Sequence, residues 1–386
     1  MHVLIIPSWY PRIKGDNFGS FFREQAIALN NQGVKVGVIY PNIQSINKIR
    51  FAGFSFYKEF SYNDCGVNVL QCNTFNWTPK IQKTSSYLWA AWGMRLFKQY
   101  ISKYGMPDIV QAQSMLNACI LAKQLKSKYN IPFIVTEHSS AFIRGRFSPS
   151  ELKWALSFTN EASHRFAVSQ AQVDFLSSKS AELKWSYLPN IVNRAFLESE
   201  PSNTVNYNFI HVANLDKNKG TALLLEAFAN EFKGDSNVFL TVCGDGPERE
   251  LLEVLVQQFN LSDQVTFTGA LSRDEVLAQM KRASSLIVSS YFETFSIVCI
   301  EALAIGIPVV ATRCGGPESI INSLNGLLVD NGCSSSLSEG MRKIYSEKHR
   351  FKSELIKKDC ATRFSEDAVI NKLKEVMLNI VSEKIR

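Results

Sequence analysis

The feature that most constrains the fold of this chain is a regular alternation of short apolar runs with longer amphipathic segments. Near the start, "HVLIIPS" (2–8) precedes "SFFREQAIALNNQG" (20–33), whose apolar residues recur at helical spacing and which ends at a glycine. The runs "VKVGVIYP", "DIVQAQ", "MLNACILAKQLKSKYN" and "PFIVTEH" continue this order. Strands that alternate with helices form a parallel sheet covered on both faces, so the sequence predicts an α/β fold.

The alternation stops at 188–208, where prolines, asparagines and serines cluster without periodicity, and it restarts at "NFIHVANL". A chain of 386 residues is also longer than one hydrophobic core usually supports. We therefore predict two Rossmann-like doubly wound domains that face each other across a cleft. The predicted divisions are 1–195, 196–365, and a C-terminal helix at 366–386 that returns to the first domain.

The composition, with 46% hydrophobic and 20% charged residues, is that of a soluble globular protein. The apolar runs have the length of strands, and no signal peptide is recognisable, so we expect a cytoplasmic protein. The 8 cysteines are scattered and form no C-x-x-C pair, which argues against a disulfide or zinc framework.

The net charge of +7 has two interpretations, which the sequence leaves open. The first is a solvated surface with a few extra lysines. The second is peripheral contact with an anionic membrane, because bases and aromatic residues coincide in 48–62 and 87–104. Here Phe54, Phe56, Trp89 and Trp92 would supply the apolar contacts. Nucleic acid is not expected, since no recognised binding motif accompanies the charge.

Two glutamates mark a candidate site in the second half of the chain. Glu293 follows the predicted strand "SLIVSS", and Glu301 lies in the second turn of a helix predicted to begin near Ser296. The first N–H groups of a helix have no intrahelical acceptor and attract anions. A phosphate there would be flanked by two carboxylates able to accept hydrogen bonds from hydroxyl groups. This arrangement suits a nucleotide sugar.

A simpler interpretation is that Glu293 caps the helix and Glu301 is a solvated helix residue. Two further loops favour a ligand site. Gly315 and Gly316 follow the next strand, where main chain can approach a phosphate closely, and Lys219 follows the first strand of this domain, where its ammonium could pair with a diphosphate.

The segment "FETFSIVCIEALAIGIPVVATRCGGPE" resembles the signature of the retaining glycosyltransferases of family 4, which have the GT-B fold and two glutamates separated by seven residues. Similar stretches occur in matching order over nearly the whole chain, among them "PFIVTEHSS", "LPNIVN", "DKNKG" and "TFTGAL". The resemblance implies the transfer of a hexose or N-acetylhexosamine from a nucleoside-diphosphate sugar to a glycan or lipid-linked acceptor, with retention of anomeric configuration. We expect this reaction to serve bacterial surface polysaccharide synthesis.

The resemblance also implies roles for individual residues. His138, Glu293 and Lys219 would be catalytic, with His138 over the reacting sugar and Lys219 on the diphosphate. Donor-binding residues would be Gly19, Asn214, Lys219, Glu293, Thr294, Phe295, Ser296 and Glu301, the last of these on the ribose.

The chain departs from the family pattern at two of these positions. Ala213 and Asn214 stand where many members have Gly-Arg, so the usual second cation on the diphosphate is missing, and Arg313 is a candidate replacement. Ser296 replaces a frequent glycine, and we expect its side chain to cap the following helix.

No D-x-D pair stands at a strand end to hold a divalent ion, so we expect no metal and no cofactor. Three alternatives remain. A nucleotide-sugar epimerase of the same fold would need no second substrate, and a glycoside hydrolase would need paired carboxylates but no phosphate site. A regulatory binding protein on this scaffold is the third.

Overall fold

The computed structural model describes residues 1–11, 19–45, 57–78, 81–202 and 205–385. The chain divides into two compact units. Unit 1 comprises the described residues of Met1–Val168, Gln172–Ile191 and the terminal segment from Val369, and unit 2 comprises Ser169–Ala171 and the described residues of Val192–Ala368.

Within the described residues, unit 1 has an eight-stranded sheet of order β3-β4-β2-β1-β5-β6-β7-β8, in which only the edge pair β3 and β4 is antiparallel. The strands are β1 (His2–Pro7), β2 (Lys35–Ser45), β3 (Lys58–Asp64), β4 (Val67–Asn76), β5 (Ile109–Gln113), β6 (Phe133–Glu137), β7 (His164–Ala167) and β8 (Ser186–Tyr187). The helices along this part are α1 (Ser20–Asn31), α2 (Gln82–Tyr104), α3 (Ala118–Tyr129), α4 (Pro149–Ser157) and α5 (Gln170–Lys179). All six residues of β1 are buried, as a central strand covered on both faces requires.

The sheet of unit 2, as described, has six parallel strands in the order β11-β10-β9-β12-β13-β14. They are β9 (Tyr207–Val212), β10 (Val238–Cys243), β11 (Val265–Gly269), β12 (Ser285–Val288), β13 (Val309–Thr312) and β14 (Gly326–Val329). The helices are α6 (Arg194–Leu197), α7 (Thr221–Phe232), α8 (Arg249–Gln258), α9 (Arg273–Lys281), α10 (Ile297–Ile305), α11 (Ser334–Ser346) and α12 (Ser353–Phe364). The first strand, β9, lies beside the fourth, β12. This is the point where the strand order reverses, and such sheets bind ligands there, beyond the carboxyl ends of the strands.

The last helix, α13 (Glu366–Ile385), packs in unit 1. Val369, Ile370, Leu373 and Met377 are all buried in the core of that unit. Lys372 Nζ also donates a hydrogen bond of 2.7 Å to the carbonyl of Tyr187. The end of the chain is therefore part of the same hydrophobic core as its beginning.

The predicted fold class, two Rossmann-like α/β domains with parallel sheets, is confirmed. The segment 188–208, in which we expected the boundary between the two domains, is partly helical. It contains helix α6, whose first turn is capped by the side chain of Asn193, which accepts a hydrogen bond from the main-chain N–H of Ala195 at 2.9 Å.

The structure corrects one part of the membrane hypothesis. Trp89 lies in α2 with 5% of its surface exposed, and Trp92 is half-buried and stacked on Tyr57, with ring centroids 4.8 Å apart. Trp89 is therefore a core residue and cannot contact a lipid surface, whereas Phe54 and Phe56 lie outside the described residues. No helix within the described ranges is long and apolar enough to cross a membrane. Peripheral membrane contact stays a prediction, which sedimentation with anionic vesicles would test.

Packing of α13 in unit 1 predicts that alanine substitutions at two leucines, about one and a half helical turns apart, lower the stability of the protein by very different amounts. Leu373 is fully buried and Leu378 is 43% exposed. We expect Leu373→Ala to lower the free energy of unfolding by about 2–5 kcal/mol through lost burial and a residual cavity. The matched variant Leu378→Ala should change it by no more than about 0.5 kcal/mol. Urea denaturation of both variants measures this, and equal effects would show that α13 is not part of the core.

Candidate functional site

Two loops at the carboxyl edge of the unit 2 sheet form one braced structure. The loop after β9 carries a 3₁₀ turn, Lys217–Lys219, and the loop after β12 leads to α10. The N–H of Tyr291 donates to the carbonyl of Asn218 at 2.7 Å, and Asn218 Nδ2 donates to the carbonyl of Phe292 at 2.9 Å. Ser289 Oγ donates to the carbonyl of Lys219 at 2.9 Å. These reciprocal bonds fix the two loops to each other.

An ion pair joins the two predicted catalytic residues of this unit. Lys219 Nζ lies 2.7 Å from Glu293 Oε1, and Ser290 Oγ donates to the same oxygen at 2.8 Å. The two side chains are 26% and 14% exposed, so they are partly shielded from water yet reachable. No donor from the described part of the chain lies on Glu293 Oε2. That oxygen can therefore accept a hydrogen bond from a ligand hydroxyl.

Helix α10 begins directly after this pair. Ser296 occupies the N-cap position with φ of 82°, a left-handed conformation that favours glycine, which explains the glycine common at this position in the family pattern. The expectation that its side chain caps the helix is wrong. No side-chain capping bond forms, and Ser296 Oγ instead accepts a 3.2 Å hydrogen bond from the thiol of Cys299. The helix ends at Ile305, and Gly306 is its C-cap.

The glycine loop after β13 packs against the residues that precede α10. Gly316 donates its N–H to the carbonyl of Glu293 at 2.9 Å, and a Cβ placed on Gly316 would lie 2.4 Å from the carbonyl oxygen of Phe295. Phe295 is itself buried and packs edge-on against Phe364, with ring centroids 6.0 Å apart. The main chain of this loop therefore lies directly against the residues that precede α10. Thr294, between Glu293 and Phe295, is half-buried.

Glu301 is 5% exposed and pairs with a cation that sequence reasoning missed. Arg273, at the start of α9, places Nη2 at 2.6 Å and Nε at 3.1 Å from Glu301 Oε1. The guanidinium also lies 5.7 Å from the ring centroid of Phe196. The simpler interpretation of a solvated Glu301 and a capping Glu293 is therefore wrong, because Glu301 is buried and ion-paired, and Glu293 does not cap α10.

Two other predicted residues of unit 2 lie on exposed parts of the edge. Asn214 is exposed, and its Nδ2 donates to Asp216 Oδ2 at 2.9 Å, which helps to shape the turn before Lys219. The side chain of Arg313 is exposed at the end of β13. The arginine observed beside a site glutamate is Arg273.

In unit 1, the imidazole of His138 packs against the first turn of α1, the helix that follows Gly19. Gly19 precedes α1, and the first turn of that helix presents Phe21 and Phe22 to the imidazole of His138, with ring centroids 5.3 and 4.7 Å away. Both ring nitrogens are buried and have no hydrogen-bond partner within the described residues. Burial lowers the pKa of His138 to about 3, so the imidazole is neutral near pH 7.

The structure therefore brings Lys219, Glu293 and the start of α10 together in unit 2. In unit 1 it packs His138 against Phe21 and Phe22, in the helix turn that follows Gly19. Sequence reasoning missed Arg273 and Ser290. Arg273 is 28 positions from Glu301 along the chain and carries no local signal. Within the described ranges, no three His, Cys, Asp or Glu side chains are grouped so that they could hold a metal ion.

Two Rossmann-like units with parallel sheets, one of them with a lysine–glutamate pair at the start of a helix beyond its switch point, have the architecture of the GT-B class. Comparison with known proteins gives the family. The model "Glycosyl transferases group 1" matches residues 193–359, and the model "Glycosyltransferase Family 4" matches residues 19–196. The chain belongs to the GT-B glycosyltransferases.

Individual relatives agree with this assignment. The chain is 30% identical over 262 residues to the uncharacterized glycosyltransferase MJ1178 of Methanocaldococcus jannaschii, an alignment that covers 66% of this chain and 69% of that protein. Sucrose-phosphate synthase from Thermosynechococcus elongatus has a similar structure, with a TM-score of 0.78 at 19% identity and 99% coverage of both chains. Anabaena HepE, solved in complex with UDP, gives a TM-score of 0.72 at 18% identity, covering 98% of this chain and 100% of that one.

The close approach of the loops after β9 and β12 predicts that a methyl group added at Gly220 destabilises the fold. Gly220 has φ of 63°, and a Cβ there would lie 2.2 Å from the carbonyl oxygen of Ser289. We expect Gly220→Ala to lower the free energy of unfolding by roughly 2–4 kcal/mol, because backbone strain and displacement of the β12 loop add together. Gly234 is the matched control, since its φ is 82° with no atom within 4 Å, so Gly234→Ala should cost only about 1 kcal/mol. Equal losses in urea denaturation would contradict the tight contact.

Proposed function

We propose that the protein transfers a hexose or N-acetylhexosamine from a nucleoside-diphosphate sugar to a glycan or lipid-linked acceptor, with retention of anomeric configuration. The observation that carries the proposal is the Lys219–Glu293 pair at the start of α10. It combines a cation, a helix N-terminus and a carboxylate within a few residues. A pyrophosphate needs the first two, and a sugar hydroxyl needs the third. HepE, which shares the fold, binds UDP in its crystal structure.

The charges that develop during the reaction match these groups. Cleavage of the bond between the anomeric carbon and the diphosphate leaves negative charge on the leaving oxygen and positive charge on the sugar. We assign stabilisation of the leaving group to Lys219 and the N–H groups that open α10. Glu293 would bind sugar hydroxyls, and Glu301 would bind the ribose. The acceptor hydroxyl would attack on the face that the diphosphate leaves, and a departing phosphate oxygen would take its proton.

The remaining residues would position the donor. Phe295 and Ser296 would present main-chain groups to the phosphates and the sugar, with Thr294 and Asn214 beside them. Gly19 would lie close to the phosphates or the acceptor, next to the first turn of α1. His138 is neutral near pH 7, so it would act as a dipole and hydrogen-bonding group near the reacting carbon, and would neither carry a charge nor attack as a nucleophile.

We further propose that catalysis needs no divalent metal and no cofactor. Lys219 and the positive end of α10 would supply the positive charge that a metal ion supplies in other transferases. A nucleotide-sugar epimerase on the same fold is the second candidate, because it would use the same donor-binding groups without an acceptor. Incubation of the donor alone separates the two, since an epimerase would isomerise its sugar.

Substitution of Glu293 tests the proposal. In a screen of UDP- and GDP-sugars with glycan acceptors, we expect Glu293→Gln to lower kcat by roughly 100- to 1,000-fold, because the amide loses the charge that faces the sugar and pairs with Lys219. Glu253 pairs with Arg249 on the exposed side of α8 and gives the matched control, so Glu253→Gln should leave kcat unchanged.

The same assay run with EDTA should give the wild-type rate, and NMR of the product should show the anomeric configuration of the donor. Sugar transfer by Glu293→Gln at the wild-type rate would overturn the assignment of this site. A rate that collapses with EDTA would refute only metal independence.

A further inference from the structure

A buried carboxylate in unit 1 has no assigned role. Glu137 ends β6 and is fully buried. Its Oε1 accepts the N–H groups of His138 at 3.0 Å and of Ser139 at 2.6 Å, and its Oε2 accepts the N–H of Met115 at 2.6 Å. One side chain thus binds main chain from two neighbouring loops, the one after β6 and the one after β5.

Burial of this carboxylate in its charged form costs free energy. No basic side chain of the described part of the chain offsets its charge, and the three N–H donors do so alone. Burial raises the pKa of Glu137 to about 7, although these three hydrogen bonds favour the charged form. A group whose only task was to fill space would be apolar, so the pattern of bonds made by Glu137 indicates its role.

The loop that Glu137 holds on the β5 side is strained. Ser114 has φ of 112° and Asn117 has φ of 58°, and both are non-glycine residues in conformations that side chains disfavour. Such conformations persist only where the surroundings impose them, and they cluster at functional sites. The Oε2 contact to Met115 lies between the two strained residues, so Glu137 holds the main chain at that place.

On the β6 side, Glu137 binds the main chain of His138, whose imidazole lies near the reacting carbon in the proposed function. The N–H of His138 is bound to the carboxylate, and its ring lies against Phe21 and Phe22. No hydrogen bond from the described residues reaches either ring nitrogen. The orientation of the ring therefore depends on its main chain and on the two phenyl rings.

We propose that Glu137 is a positioning residue, whose carboxylate sets the orientation of the His138 imidazole by holding the main chain of both loops. This inference rests on the proposed role of His138 for its catalytic consequence. The orientation of the imidazole does not depend on the proposed role of His138, and it can be measured without following the reaction.

The test compares Glu137→Gln and Glu137→Asp in the full chain with Ile134→Ala. Glutamine keeps the shape but must turn its NH₂ group toward at least one of the N–H donors, whereas aspartate keeps the charge but is one methylene too short to reach both loops. Ile134 is buried in the same strand and belongs to neither loop, so Ile134→Ala loses packing but keeps the three hydrogen bonds of Glu137. It controls for a general loss of stability.

The first measurement is NMR of the histidine side chains, with His138 assigned from the peaks that His138→Asn lacks. We expect the His138 ring protons to shift in Glu137→Gln, because their distance from Phe21 and Phe22 changes, and to keep their wild-type positions in Ile134→Ala. Wild-type His138 positions in Glu137→Gln would overturn the inference.

The second measurement is the release of UDP from UDP-glucose and UDP-N-acetylglucosamine. We expect Glu137→Gln to lower kcat by about 10- to 100-fold with KM little changed, because a displaced catalytic group costs rate and the donor groups of unit 2 are intact. Glu137→Asp should recover part of the rate, and Ile134→Ala should keep the wild-type kcat while folded. An unchanged kcat in Glu137→Gln would limit the residue to a structural role. Full turnover by His138→Asn would refute the proposed role of His138 and leave the positioning to the NMR result.

Discussion

The contact between the loops after β9 and β12 is the constraint on which the unit 2 site depends. The strand order places these two strands side by side, so residues more than 70 positions apart along the chain meet at one edge of the sheet. Three hydrogen bonds between the loops then hold Lys219 and Glu293 beside each other, where they form an ion pair in front of α10. The helix start alone would attract many anions. In the proposed function, the pair adds a cation for a phosphate and a carboxylate for hydroxyl groups. A ligand that uses the whole site would therefore carry both a phosphate and hydroxyl groups.

The electrostatics of this site are balanced before a ligand binds. Each of its two glutamates pairs with a base, Glu293 with Lys219 and Glu301 with Arg273. Pairing lowers the cost of keeping these carboxylates partly or largely buried. An ammonium has three donors, so Lys219 can bind a phosphate oxygen without leaving Glu293. The positive end of α10 supplies the remaining field. In the proposed function, a neutral site of this kind would bind a diphosphate through directed N–H groups more than through net charge.

The sequence predicted the elements with strong periodicity and a defined end. β1, α1, β6 and α13 lie where the pattern placed them, because a buried parallel strand reads as an unbroken apolar run and an amphipathic helix as a 3.6-residue repeat. The antiparallel strand β3 escaped notice, since an edge strand with exposed polar residues has no apolar signal. The aromatic residues of helix α2 were only partly misread. Trp89 and Phe97 lie in the core, whereas Tyr87 is 48% exposed, and composition alone does not tell a membrane-facing aromatic residue from a buried one.

The sequence predicted which residues belong to the site, but it did not predict which of them pair with each other. Glu293, Lys219 and Gly316 were expected near one helix start because each follows a strand, and parallel strands end at one edge. The pairing of Glu301 with Arg273 and the strained conformation of Ser296 follow from tertiary packing and have no local signature. Glu137 did leave a signal, a charged residue inside the apolar run "PFIVTEH", but its three N–H partners come from two different loops.

The most direct test of the central claim is the affinity of the protein for UDP, measured by calorimetry in wild type, Lys219→Ala and Lys217→Ala. Both lysines belong to the same 3₁₀ turn, but only Lys219 pairs with Glu293 while Lys217 is exposed. A charge-assisted hydrogen bond to phosphate is worth about 1.5–3 kcal/mol, so Lys219→Ala should weaken binding by roughly 10- to 100-fold and Lys217→Ala should not. Equal affinity of all three proteins for UDP would contradict the claim that a diphosphate binds at the start of α10.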